Sequence, residues 1–168
     1  TTLEYTSQQQ QQQQQLQNQQ SKSFNENNNT PSSNMAPVKR IPVALCVDDS
    51  ALNRKIVGKL LEQHFEVKYA VDGLSAVETI SHSLHSNHPI DIIFMDNVMP
   101  VMDGLEATTR IRDMGYQSPI IGVTGNCLPE QIEEFLSHGA THILQKPLTI
   151  DIFNKTVQGQ FLSCCSCL

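Results

Sequence analysis

The chain has 168 residues, with 11 Lys and Arg against 17 Asp and Glu and a formal net charge of -6. That length suits one core of ordinary domain size plus flanking sequence, and the acidic balance argues against binding a nucleic-acid backbone. No run of about 18 apolar residues exists to span a bilayer. The five cysteines are odd in number and not spaced as pairs, and no apolar N-terminal signal is present, which predicts reduced thiols and a cytoplasmic location. The first residue is Thr1 rather than Met, as expected of a piece of a longer polypeptide.

Residues 1–40 are rich in Gln, Asn and Ser, with unbroken glutamine from Gln8 to Gln15. They lack the apolar periodicity that could offset ordering entropy, so they read as a disordered tail or linker. Order is expected over 41–160. Pro42 to Val47 reads as a short apolar strand that ends at Asp48-Asp49, with Ser50 a candidate N-cap. Leu52, Ile56, Val57, Leu60 and Leu61 then recur at helical spacing and predict one apolar helix face. Glu66 to Ala70 is a second strand, Asp72-Gly73 a turn, and Ala76, Val77, Ile80 and Leu84 mark a second helix.

The third strand is the continuous apolar run Ile92 to Met95, which suits burial on both faces of a parallel sheet and delivers Asp96 into a turn-rich loop. Leu105, Thr108, Ile111 and Met114 form a third helical stripe that stops near Gly115. Pro119 to Thr124 is a fourth strand. A helix carrying Ile132, Phe135 and Leu136 follows Pro129 and stops at Gly139. His142 to Leu144 is a fifth strand, and Ile150, Phe153 and Val157 mark the last helix. Strict alternation of five strands with five helices implies an α/β fold with a five-stranded parallel sheet covered on both faces.

Four of the five strand ends then carry reactive groups: Asp48 and Asp49 after the first, Asp96 after the third, Thr124 after the fourth and Lys146 after the fifth. Ligands in open parallel sheets bind beyond the carboxyl ends of the strands. Three carboxylates gathered there would repel one another unless a cation neutralised them. All-oxygen ligands with room for water favour Mg²⁺, and a lysine and a hydroxyl beside the same carboxylate suit a transferred phosphoryl group. Asp103 and Gly104 read as turn formers, and Met95, Met99 and Met102 as packing residues. The six histidines show no ligand pairing and read as surface residues.

The motifs VDDSALNR at 47–54, MDNVMPVMDG at 95–104, VTGN at 123–126 and QKP at 145–147, in that order and at those separations, resemble a response-regulator receiver domain over roughly 41–160. The resemblance implies a doubly wound, flavodoxin-like sheet of order 2-1-3-4-5, with Asp96 as phosphoryl acceptor. It further implies that Asp49, Asp96 and the Val98 backbone carbonyl bind Mg²⁺ directly, with Asp48 acting largely through water. Thr124 would hydrogen-bond a phosphoryl oxygen, Lys146 would pair with it, and the Lys146-Pro147 bond would be cis. Asn53-Arg54 and Thr124-Gly125-Asn126 are similar to receivers attached to hybrid histidine kinases. This implies a histidine kinase, in cis or in trans, as donor and a histidine-phosphotransfer protein as recipient.

Ile143 departs from the family pattern, in which Tyr or Phe three residues before the lysine swings inward when the Thr engages the phosphoryl group. An aliphatic side chain has no phenol to swing, which favours a relay over a stand-alone phosphorylation switch. The resemblance also implies that Val98 and Asn126, two residues past Asp96 and Thr124, stand where the family orients the hydrolytic water; Val98 offers no hydrogen bond, so slow loss of the acyl phosphate is expected. An aspartyl-phosphate phosphatase would carry a second acid where Val98 stands. A flavin carrier would present a Ser, Thr and Gly loop where Asp48-Asp49 stands. The tail 161–168 ends in Cys164-Cys165-Ser166-Cys167-Leu168, which fits a prenylation box at Cys165 loosely, since its middle residues are not aliphatic.

Overall fold

The computed structural model describes residues 40–125 and 128–160, with the side chains of 157–160 outside the description. Residues 1–39 of the expected 1–40 tail, the tail 161–168 with the lipidation motif at Cys165, and Asn126 lie outside the described residues. Five strands, β1 Val43–Val47, β2 Glu66–Ala70, β3 Ile92–Asp96, β4 Ile120–Thr124 and β5 His142–Gln145, alternate with five helices. The helices are α1 Ala51–Leu61, α2 Gly73–Ser83, α3 Gly104–Asp113, α4 Pro129–Ser137 and α5 Ile150–Gln160. The strands are parallel in the order β2-β1-β3-β4-β5, as the alternation of elements predicts.

The strands β1, β3 and β4 are buried along their whole length because both faces of the sheet are covered. On one face Leu45, Ile93, Met95 and Ile120 pack with Ile80 of α2, Ile111 of α3 and Phe135 of α4. On the other, Cys46, Ile92, Phe94 and Ile121 pack with Val57 and Leu61 of α1 and Phe153 of α5. Adjacent β3 residues alternate between these two cores, as the period-2 geometry of a strand requires. Met95, Met99 and Met102 all belong to the first core. The chain leaves α3 and α4 through Gly115 at φ 89° and Gly139 at φ 104°, backbone angles that a side chain tolerates poorly.

Helix α1 differs from expectation in one respect. Val57 and Leu61 enter the core, whereas Leu52 and Ile56 are 67% and 50% exposed. The five apolar positions span too wide an arc for one face, since at 3.6 residues per turn Leu52 lies about 140° around the helix from Val57. Gly58 sets the rotation. A Cβ there would overlap the Tyr69 ring and hydroxyl, so α1 seats its glycine against β2 and turns Leu52 and Ile56 outward.

The β3–α3 loop is closed by a Gly104 N–H to Asn97 carbonyl bond of 2.9 Å, and a side chain at Gly104 would overlap the Asp96 carbonyl oxygen. Asp103 caps α3 through the Glu106 N–H, so it is a structural residue, as the turn reading predicts. The Gly73 N–H donates to the Met102 carbonyl, which ties this loop to the start of α2. Val101 sits at φ 70°, a left-handed conformation that β-branched residues avoid, and it is 76% exposed. Val101→Asn, which tolerates that conformation, is expected to stabilise the domain by on the order of 1 kcal/mol. Thermal melting checks this, and an unchanged or lower midpoint would show that Val101 is not strained.

Candidate functional site

All the predicted side chains arrive at one edge of the sheet because parallel strands point their carboxyl ends the same way. Asp48 and Asp49 follow β1, Asp96 closes β3, Thr124 closes β4, and Lys146 follows β5. Each of Asp48, Asp49 and Asp96 offers a carboxylate oxygen, and these lie within 4.8 Å of one another. The Lys146 ammonium bridges two of the acids, at 2.8 Å from Asp48 Oδ2 and 2.8 Å from Asp96 Oδ2. Its backbone N–H donates to the Thr124 carbonyl at 2.8 Å, which locks the β5 end onto the β4 end. Asp48, Asp96 and Thr124 are buried and Asp49 is exposed. The Lys146-Pro147 bond is cis, as the receiver resemblance implies.

The two neighbouring aspartates are held differently. Asp48 Oδ1 accepts from the Ser50 N–H at 2.9 Å and from Asn53 Nδ2 at 3.2 Å, while Oδ2 takes Lys146. No described side chain donates to the Asp49 carboxylate. Arg54 Nη1 donates to the carbonyls of both residues, at 2.6 Å to Asp48 and 3.0 Å to Asp49. Asp96 Oδ1 accepts from the Asn97 N–H at 2.8 Å. Asn53 and Arg54 thus join the site without a strand-end position to mark them; their signal in the sequence is an amide and a cation in the first turn of a helix that directly follows two acids.

Three carboxylates and one ammonium leave two negative charges together, the number that a divalent cation neutralises. At the effective dielectric of a partly exposed site, each like-charged pair at this spacing repels by roughly 3 kcal/mol. Burial raises the Asp96 carboxyl above its ordinary range, more than the Lys146 hydrogen bond and charge pull it down, and Asp48 adds to the rise. Burial acts to lower the Lys146 ammonium, but its contacts with Asp48 and Asp96 outweigh that and raise it. An all-oxygen donor set with one exposed carboxylate fits a hard cation that keeps part of its water.

The family model for the response regulator receiver domain matches residues 44–158. The chain belongs to the receiver family. Among curated proteins it is 40% identical over 114 residues to the sensor histidine kinase RcsC of Escherichia coli (strain K12), covering 67% of this chain and 12% of that one. It is 36% identical over 108 residues to the transcription factor SKN7 of Saccharomyces cerevisiae, covering 64% of this chain and 17% of that one. The match therefore spans a small part of either relative's length. Among solved structures, the receiver domain of the histidine kinase CKI1 from Arabidopsis thaliana, complexed with Mg²⁺, matches with TM-score 0.62 at 32% identity, over 72% of this chain and 93% of that one. The chemotaxis protein CheY4 of Vibrio cholerae matches with TM-score 0.64 at 32% identity, over 71% and 98%. Among the described residues of this receiver, no helix is long and apolar enough to cross a membrane.

The raised Asp96 carboxyl has a consequence for stability. The folded receiver holds this proton more tightly than the unfolded chain does, so stability falls as pH rises from the ordinary carboxylate range through the raised value. The raised Lys146 contributes stability below the ordinary lysine value and loses it only in alkali, outside this window. Asp96→Asn is therefore expected to melt a few degrees higher than wild type at neutral pH without metal, a change of about 1 kcal/mol, and to lack the decline through that acidic window. Melting curves of both proteins against pH check this. A lower midpoint for Asp96→Asn would mean that the Lys146 pair outweighs the desolvation of the carboxylate.

Proposed function

We propose that Asp96 accepts a phosphoryl group from a phosphohistidine in a Mg²⁺-dependent reaction, as one step of a phosphorelay. The observation that carries this reading is the Lys146 ammonium shared by Asp48 and Asp96, with an Asp49 oxygen inside the same 4.8 Å cluster. An Asp96 oxygen forms the new O–P bond as the N–P bond to the imidazole breaks, and the imidazole leaves as the neutral base after taking a proton. Lys146 moves from the carboxylate to a phosphoryl oxygen, and the Thr124 hydroxyl at the end of β4 donates to another. Asp49, Asp96 and the Val98 carbonyl would hold the cation directly and Asp48 through water. Bound Mg²⁺ supplies charge neutralisation of the transferred group.

Incubation with acetyl phosphate or a phosphorylated histidine kinase, with and without Mg²⁺, tests this. The expected outcome is Mg²⁺-dependent label on wild type and none on Asp96→Ala; label that persists on the variant overturns the reading. Val98 is exposed and apolar, with nothing to orient a hydrolytic water. The label is therefore expected to outlast minutes, and decay within seconds would contradict that.

The finer reading is a receiver of a hybrid histidine kinase that passes the group to a histidine-phosphotransfer protein. Two features support it beside the likeness to RcsC. Ile143 replaces the aromatic of a switch and is wedged beside Gly122, where a Cβ would overlap both Ile143 and Phe135, so no ring is available to remodel the β5 surface. The outward stripe Leu52, Lys55, Ile56 and Lys59 also begins one turn from the acidic loop and combines apolar with basic groups on one helix face. Leu52→Glu with Ile56→Glu is expected to slow transfer to or from a protein partner by about 10-fold or more, the effect of losing a hot spot of roughly 1.4 kcal/mol or greater. Labelling by acetyl phosphate should be unchanged. Equal loss with both donors would place the defect in the site rather than in docking.

A further inference from the structure

Helix α1 breaks the usual rule for a helix start. Its first turn carries no acid, and instead holds Asn53 and Arg54, with Lys55 next. A cation there opposes the helix dipole, which favours negative charge at this end. Position three of the helix, where a Glu or Gln ordinarily reaches back to the N-cap N–H, is Asn53. Its amide goes to Asp48 Oδ1 instead, and the Ser50 N–H goes to that same oxygen. Ser50 Oγ still accepts from the Asn53 N–H, so it is the return arm of the capping pattern that is redirected onto the first aspartate. Arg54 reaches back to the Asp48 and Asp49 carbonyls with a single nitrogen. Both carbonyls lie past Val47, the last residue of β1 in register with β2 and β3, so neither has a ladder partner in the sheet.

We infer that Asn53 and Arg54 are positioning residues for cation binding, an inference that rests on the phosphoacceptor reading above. Arg54 fixes the two peptide planes from which Asp48 and Asp49 project, and Asn53 fixes the Asp48 carboxylate. The exposed Asp49, with no described side chain to orient it, is then presented toward Asp96 by its backbone alone. Helix-start stability is sacrificed to hold an acidic loop whose members repel one another, which is where local rules are expected to be broken. Two effects of Arg54 compete. Its charge disfavours a nearby divalent cation, and its grip on the carbonyls spares the cation the cost of ordering the loop; the inference is that the second effect wins.

Calorimetric titration of Mg²⁺ into the full chain, with metal-free melting and acetyl phosphate labelling alongside, tests this. Arg54→Met is expected to weaken Mg²⁺ binding about 10- to 100-fold, the usual loss when a group that orients a metal ligand is removed. Its labelling rate at saturating Mg²⁺ should match wild type, so that the apparent Mg²⁺ constant moves and the limiting rate does not. Arg54→Lys should recover most of the affinity, because one cationic nitrogen takes both carbonyls. Wild-type or tighter Mg²⁺ binding by Arg54→Met overturns the inference, as does failure of Arg54→Lys to bind better than Arg54→Met. If Arg54→Met is unfolded at the assay temperature, Asn53→Ala decides: weaker Mg²⁺ binding at a wild-type melting point supports the positioning role, and unchanged affinity overturns it. Wild type that binds no Mg²⁺ would instead overturn the phosphoacceptor reading itself.

Discussion

The crowding of three carboxylates at one edge of the sheet is the constraint on which the rest of the site depends. A single ammonium, Lys146, stands between Asp48 and Asp96 at 2.8 Å from each. It arrives there only because β5 is bonded to β4 and its Lys146 N–H is anchored on the Thr124 carbonyl. Lys146 thus offsets part of the repulsion among the acids, and burial still holds the Asp96 carboxyl above its ordinary range.

The loops around the acids are fastened by backbone contacts rather than by bulk. Gly104 lets α3 begin against the Asp96 carbonyl, and the Met102 carbonyl accepts from Gly73, so the β3–α3 loop has little freedom to shift. Val101 tolerates an unfavourable φ within that loop. Strain of this kind persists when its surroundings over-determine the backbone, and it gathers at functional sites. Around β1, the side chains of Asn53 and Arg54 perform the equivalent task from the helix that follows.

The two faces of the domain beside this edge differ in what they offer a partner. On the α1 side, Leu52 and Ile56 face outward beside Lys55 and Lys59. On the β5 side, the partly buried Ile143 packs against the core beside Gly122 and presents no aromatic ring.

The sequence by itself determined the order of elements, the parallel sheet and the identity of the clustered residues, because short strand segments alternate with helical periodicity and four of the five strands end in a polar group. It also specified Ser50 as a helix start, Asp103 as a turn former, and Gly115 and Gly139 as stops, since those positions depend on local backbone geometry. Only the tertiary structure decided which way α1 faces, because five apolar residues cannot share one helix face and the contact of Gly58 with Tyr69 selects among them. The same holds for the division between Asp48 and Asp49. Both are adjacent carboxylates in the sequence, and they acquire different environments from Lys146, 98 residues away from Asp48, and from the direction in which the chain turns after β1. Periodicity reports which residues avoid water, whereas the partner of a polar group is set by chain segments that meet only when the sheet is assembled.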